Sequence, residues 1–112
     1  MDTNEYVTIL GYLIKNPYLV KWIDISKGKA YAITNIDNLE VKISTATSIS
    51  NAGSYAKVSF GNGTSVEVEP ISNEISDYIY SKFIELGKSV SEYSKTILLN
   101  SCSKRIDITD NY

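Results

Sequence analysis

The spacing of apolar residues changes at Pro70, and this change limits what the chain can fold into. Between Tyr18 and Pro70 apolar and polar residues alternate, which is typical of half-buried strands. After Pro70 apolar residues recur every three or four positions, the period of one helix face: Ile75, Ile79, Phe83, Leu86, Val90, Tyr93 and Ile97. Strands followed by a helical region predict an α+β fold.

The alternating region predicts a mainly antiparallel five-stranded sheet or a small barrel. The predicted strands cover residues 18–25, 29–36, 39–46, 55–60 and 64–69. The turn signals between them are Ser26-Lys27-Gly28, Asp37-Asn38 and Gly61-Asn62-Gly63. Residues 47–54 are small and polar, so we expect a mobile loop there.

The first residues predict a short helix before the sheet. Asp2 and Glu5 have the spacing of a capping box, and Pro17 marks an end, so the predicted helix covers residues 3–15. A strand is the alternative, because the same segment contains Gly11 and a β-branched run at residues 7–9.

The C-terminal pattern leaves open whether one helix or two helices follow the sheet. An unbroken helix over residues 73–102 would be about 45 Å long, while a domain of this size is roughly 35 Å across. Gly87 suits a helix end, and residues 89–92, Ser-Val-Ser-Glu, match a second capping box. We therefore favour a break near Gly87 over a single helix. Ile106 and Ile108 predict a short edge strand or a frayed end.

The helical region is more apolar than one exposed face allows, which predicts self-association. A dimer or a higher cyclic oligomer would cover the apolar side chains that one chain leaves exposed. The predicted interface residues are Phe83, Leu86, Val90, Tyr93 and Ile97. The alternative is that the sheet of the same chain covers these side chains.

Length and composition are those of one globular domain over residues 1–112, with a sheet region at 18–70 and a helical region at 72–103. No apolar run is long enough to span a bilayer, the first residues are acidic, and Cys102 is the single cysteine. We expect a soluble cytoplasmic protein. Its richness in Ile, Ser, Asn, Lys and Tyr resembles small phage and low-GC bacterial proteins, in which case the compartment is the host cytoplasm.

Several classes of function are disfavoured by composition. The chain has no histidine, which removes the commonest general base and most zinc sites. Glu67 and Glu69 alternate with valines and are better explained as a solvated strand face than as an acid–base pair. We therefore expect no enzyme, metal or cofactor. The net charge of −2 argues against duplex DNA as a partner.

Lysines and aromatic residues are interleaved on the predicted strands, and together they indicate a binding site. Residues 15–57 hold six of the lysines against three acids. Ammonium groups attract phosphates and aromatic rings stack on bases. The candidate ligand-binding residues are Trp22, Lys29, Tyr31 and Lys57, together with Arg105, the single arginine, if a second chain brings it near.

These features favour a small, non-enzymatic oligomeric protein that sequesters an anionic, nucleotide-like ligand or blocks a host factor. One alternative is a module that binds single-stranded nucleic acid with the same side chains. A second alternative is a structural or adaptor subunit whose partner is another protein.

Overall fold

The computed structural model describes residues 1–47, 54–68 and 71–109, with side chains described as far as residue 102. The predicted α+β order is confirmed. The elements are helix α1 (Thr3–Lys15), a 3₁₀ turn (Pro17–Leu19), strands β1 (Val20–Ser26), β2 (Lys29–Ile36), β3 (Leu39–Ala46), β4 (Tyr55–Phe60) and β5 (Ser65–Glu67), and helix α2 (Asn73–Thr109). Most of the predicted loop lies outside the described residues.

The five strands form an open antiparallel meander, with each strand paired to its neighbour in sequence. β1 and β5 are the edges, so the sheet does not close into the small barrel that was one of the predicted forms. Asp37 and Asn38 make the β2–β3 turn with φ angles of 51° and 65°. Tight hairpin turns require such left-handed angles, and Asp and Asn tolerate them.

Helix α1 is capped as the sequence predicts, and the strand alternative is wrong. The Glu5 amide donates to Asp2 Oδ1 at 2.7 Å, and the Asp2 amide donates to Glu5 Oε1 at 3.3 Å. Two backbone donors at the helix start are thereby satisfied. The helix buries Tyr6, Leu10 and Leu13 against the sheet.

Helix α2 runs without interruption through Gly87, so the favoured break there is wrong. The apolar stripe continues across the glycine, with Phe83 and Leu86 fully buried on its N-terminal side. A Cβ atom at Gly87 would lie only 2.7 Å from Ile25 Cδ1, so the glycine lets α2 approach β1 closely. Ser89 does not cap a new helix, because its hydroxyl donates to the Ile14 carbonyl at 2.6 Å.

The C-terminal end of α2 extends beyond the rest of the molecule. Tyr93 contacts Tyr18, with ring centroids 6.3 Å apart, and the side chains of residues 94–102 are all exposed. The helix then continues to Thr109, so the edge strand predicted around Ile106 and Ile108 is wrong. The radius of gyration is 17.2 Å, against about 13 Å for a compact chain of this length.

Both helices pack on the same face of the sheet. α1 reaches β3 through the Tyr6 hydroxyl, which donates to the Ser44 carbonyl at 2.8 Å. α2 reaches the β1–β2 turn through the Tyr80 hydroxyl, which donates to the Ser26 carbonyl at 2.9 Å. The buried side chains of both helices and the sheet form one cluster. Within the described residues, no helix lies on the opposite face of the sheet.

Replacing Gly11 with alanine is expected to raise the free energy of unfolding by roughly 0.5–1 kcal/mol, because glycine is a poor helix former. Gly11 lies inside α1, and a Cβ atom there would meet no atom within 4 Å. Urea denaturation of the two proteins measures the difference. A destabilised Gly11→Ala variant would contradict the open surroundings of this position.

Candidate anion-binding site

Strand alternation divides the sheet residues between a helix-covered face and an open face. In β2, Ala30, Ala32 and Thr34 are buried toward the helices. Lys29 and Tyr31 alternate with them and therefore point to the open face. β3 repeats the pattern, since Val41, Ile43 and Thr45 belong to the covered side and Lys42 and Ser44 to the open side.

The strand register brings open-face residues of different strands together. Tyr31 pairs with Ser44, and Ser44 pairs with Lys57. Asp24 continues this row on β1 and Glu67 continues it on β5. A depression of about 270 Å³ lies over the centre of the row. We call its polar lining the lysine face: Lys29, Tyr31, Lys42, Ser44, Tyr55, Lys57 and Ser59.

Two of the ammonium groups on the lysine face lie over aromatic rings. Lys42 Nζ is 4.5 Å from the Tyr31 ring centroid, and Lys57 Nζ is 5.0 Å from that of Tyr55. The ring quadrupole attracts each cation and orients it. Among the residues whose side chains are described, the ion pair is Lys82–Glu85 on α2, so the lysine face has no carboxylate in salt-bridge contact. None of its lysines forms a salt bridge with a described carboxylate, although Glu67 is the cross-strand neighbour of Lys57.

Ser44 lies at the bottom of the depression and has an unsatisfied hydroxyl. The residue is 5% exposed, and its Oγ has no hydrogen-bond partner among the residues that the structure describes. Leaving a buried hydroxyl unpaired costs roughly 1–3 kcal/mol. The hydroxyl itself is covered, so a ligand oxygen would remove this cost only after the side chains over Ser44 move aside.

Trp22 adds an exposed ring at the edge of the lysine face. Its side chain on β1 is 58% exposed, and its Nε1 donates to the Tyr31 hydroxyl at 3.1 Å. Trp22 pairs with Ile33, which pairs with Lys42, so the indole and the Lys42 ammonium lie in one row across the sheet. The hydrogen bond fixes the indole beside the cationic centre.

The structure brings together four of the five predicted ligand-binding residues. Lys29, Tyr31 and Lys57 line the depression and Trp22 lies at its edge. Arg105 does not join them, because its backbone is on α2 twelve residues after Tyr93, or about 18 Å further along the helix.

Sequence reasoning missed Lys42 and Ser44. The alternation in β3 was visible in the sequence, and pairing it across the Asp37-Asn38 turn would have placed both residues beside Tyr31.

The residues of the predicted oligomer interface fall into two groups. Phe83 and Leu86 are fully buried in the core of their own chain, so they are not available to a partner and the predicted interface is corrected there. Val90 is partly buried against the same core. Tyr93 and Ile97 are exposed on the projecting part of α2.

Two properties of the described residues bear on function. No helix within them is long and apolar enough to cross a membrane. The same part of the chain contains no group of three or more His, Cys, Asp or Glu residues arranged to hold a metal ion.

Comparisons with protein families, curated proteins and solved structures give no match to this chain. The function is therefore argued from the geometry of the site.

Proposed function

We propose that this protein is a non-enzymatic binding protein that holds a small anionic, nucleotide-like ligand on the lysine face. The observation that carries the proposal is a buried Ser44 hydroxyl without a described hydrogen-bond partner, in a depression lined by three lysines that form no salt bridge with a described carboxylate. A phosphate group accepts hydrogen bonds from both ammonium and hydroxyl groups, and such charged hydrogen bonds are the strong ones.

The aromatic residues support a ligand that has a ring as well as a charge. The rings of Tyr31 and Tyr55 each have a lysine ammonium over them and serve to orient these cations. Trp22 has an exposed ring and is held in place by its hydrogen bond to Tyr31. We propose that phosphate oxygens bind at Ser44, Lys42 and Lys57, and that the base stacks on Trp22.

The test is calorimetric titration with ADP and with inorganic pyrophosphate as probes. Both are expected to bind. The double variant Lys42→Ala/Lys57→Ala is expected to lower the affinity for both probes by at least roughly 100-fold. The reason is that a lost charged hydrogen bond costs about 1.5–3 kcal/mol, and this variant loses two. The control is Lys88→Ala/Lys95→Ala, which removes the same charge from exposed positions of α2 and is expected to leave binding unchanged.

A second variant distinguishes the contribution of base stacking from that of phosphate binding. Trp22→Ala is expected to lower the affinity for ADP by about 10-fold, because stacking contributes roughly 1–3 kcal/mol per base. The affinity for pyrophosphate, which has no base, is expected to stay the same. The proposed site would be contradicted if neither probe bound, or if the lysine variant and its control lost the same affinity.

Single-stranded nucleic acid is a second candidate ligand, favoured by the open sheet face and by the exposed rings of Trp22 and Tyr55. Aromatic residues on an open sheet stack bases in several RNA-binding modules. A ten-residue oligothymidylate tests it. Affinity that exceeds that of ADP and falls steeply with salt would favour the strand over the small ligand.

We also propose that the protein self-associates through the projecting end of α2. The support is the exposure of Tyr93, Ile97, Leu98 and Leu99 on a helix that extends past its own domain. Tyr93 and Ile97 share one helix face, and Leu98 and Leu99 extend the exposed apolar surface around the helix; an exposed apolar surface of this kind is typical of an interaction site.

A further inference from the structure

An apolar groove lies on the helix-covered side of the sheet, between α1 and the β2–β3 turn. It has a volume of about 530 Å³. Its walls are apolar side chains of α1 and of the sheet, which we call the α1 groove: Met1, Ile9, Tyr12, Ile36, Val41 and Phe60. Tyr12 and Ile36 are each more than half exposed, although both belong to the side of the sheet that carries the core.

The groove is long enough for one face of a helix to lie along it. α2 packs against α1 and reaches the β1–β2 turn, so no described helix lies over the part of the sheet near Ile36. From Met1 to Tyr12 the wall along α1 is about 17 Å long, or roughly three helical turns. A third helix laid beside α1 would complete the layer that covers the sheet.

The apolar side chains at the projecting end of α2 do not pack against the core of their own chain. Residues 94–109 extend for about 24 Å. Ile97, Leu98 and Leu99 are 47%, 62% and 55% exposed. A helix of this length is only marginally stable in water unless an apolar face is packed.

Charge favours the pairing of this helix with the groove. Between residues 94 and 109 the helix carries three basic residues, Lys95, Lys104 and Arg105, and one acid, Asp107. Beside the groove, Glu5 lies one helical turn before Ile9, and Asp37 follows Ile36; both acids are exposed. Opposite charges around an apolar contact steer association and select the partner.

The groove cannot be filled by the helix of its own chain. α2 is continuous from Asn73 to Thr109 and leaves the domain past Tyr18 and Tyr93. A straight helix would have to break to return to α1. The occupant that matches the groove in length, apolarity and charge is therefore the same helix of another copy.

We propose that the projecting end of α2 docks into the α1 groove of a second copy, while the helix of that copy docks into the groove of the first. The exchange closes a two-fold dimer, since each chain supplies one helix and one groove. The proposal rests on self-association but not on ligand binding. It differs from a pairing of helix with helix, which would leave both grooves empty.

The experiment is sedimentation velocity of the full-length chain at about 1–100 μM, with one variant on each surface. Wild type is expected to be a dimer. Leu98→Asp on the helix and Ile36→Asp in the groove are each expected to weaken dimerisation by at least about 100-fold, because each places a charge in an apolar contact. The control is Tyr78→Asp, which changes an exposed ring away from both surfaces. Circular dichroism checks that each variant is folded.

The outcomes separate the possible interfaces. A wild-type monomer removes self-association and the groove proposal together. A dimer that Leu98→Asp disrupts but Ile36→Asp leaves intact means that the helices pair with each other, which overturns the groove proposal alone. Binding of a monomeric wild type to vesicles of phosphatidylserine would assign the basic helix to a membrane surface and would also overturn it.

A disulfide tests directly whether position 98 of one copy lies next to position 36 of the other. A chain carrying Ile36→Cys, Leu98→Cys and Cys102→Ser is expected to form a covalent dimer on mild oxidation. Each single-cysteine chain in the same Cys102→Ser background is expected to remain uncrosslinked, because the exchange places position 98 of one copy against position 36 of the other. A covalent dimer of the position-98 cysteine alone would indicate helix–helix pairing instead.

Discussion

Replacing Phe83 with alanine is expected to lower the free energy of unfolding by roughly 3–5 kcal/mol. Phe83 is fully buried at the centre of the α2 stripe, where it belongs to the same core cluster as Ile79, Leu86 and the buried residues of α1. Removing the ring loses the free energy gained when the ring moves from water into the core. It also leaves a cavity that the close-packed neighbours fill only partly. Urea denaturation measures the loss.

The matched control for Phe83 is its neighbour Ile84. This side chain is 38% exposed on the same turn of α2, so Ile84→Ala is expected to cost only about 1 kcal/mol. Both variants are compared at low concentration, where the proposed self-association would contribute little to stability. Equal losses at the two positions would mean that the stripe is not buried against the sheet.

Raising the pH above 10 is expected to destabilise the protein by up to about 1.4 kcal/mol for each pH unit, through Tyr6. Burial of the phenol raises the pKa of Tyr6 well above its ordinary value of 10.0, and the nearby Tyr55 adds to the increase. Above pH 10 the unfolded chain releases this proton while the folded chain retains it. The stabilisation is therefore complete below pH 10 and is lost as the pH rises.

Two variants isolate the contribution of Tyr6. Tyr6→Phe lacks the ionisable group, so its stability is expected to fall less steeply between pH 10 and 12. At pH 7 it loses roughly 0.5–1.5 kcal/mol with the hydrogen bond to Ser44. Tyr78→Phe removes an exposed phenol and is expected to keep the wild-type slope. The same steep slope in Tyr6→Phe would contradict the assignment to Tyr6.

The sheet was predictable because its signals are local. Alternation and turn residues located β1 to β4 to within two residues at each end, and the Asp2–Glu5 pair located the start of α1. β5 is shorter than predicted, ending at Glu67, although Val68 is buried beyond it. The closure of the sheet was not predictable, because alternation looks the same in an open sheet and in a barrel.

The course of α2 was not predictable from local signals. The sequence around Gly87 has the residues of a helix end followed by a capping box. In the fold, Gly87 faces Ile25 and Ser89 bonds to Ile14, and neither contact is visible without the tertiary arrangement. The length argument against one helix assumed a compact chain, whereas α2 projects from its domain.

The lysine face was predicted in part. Lys29, Tyr31 and Lys57 were recognised as residue types suited to an anion, and the sheet placed them together. Ser44 carries the proposal most directly, but a serine in a strand has no distinctive sequence signal. Its significance comes from burial without a hydrogen-bond partner, which only coordinates reveal.

The row across the lysine face also sets a limit on ligand length. Asp24 and Glu67 stand at its two ends, four strand spacings apart, or about 19 Å. A compact anion held near Ser44 and Lys42 lies between these two carboxylates, while an oxygen at Lys57 is one strand spacing from Glu67. A long polyanion laid along the row would bring a phosphate against one of them and be repelled. We therefore expect the proposed site to favour a short charged molecule over a strand that continues past the edge of the sheet.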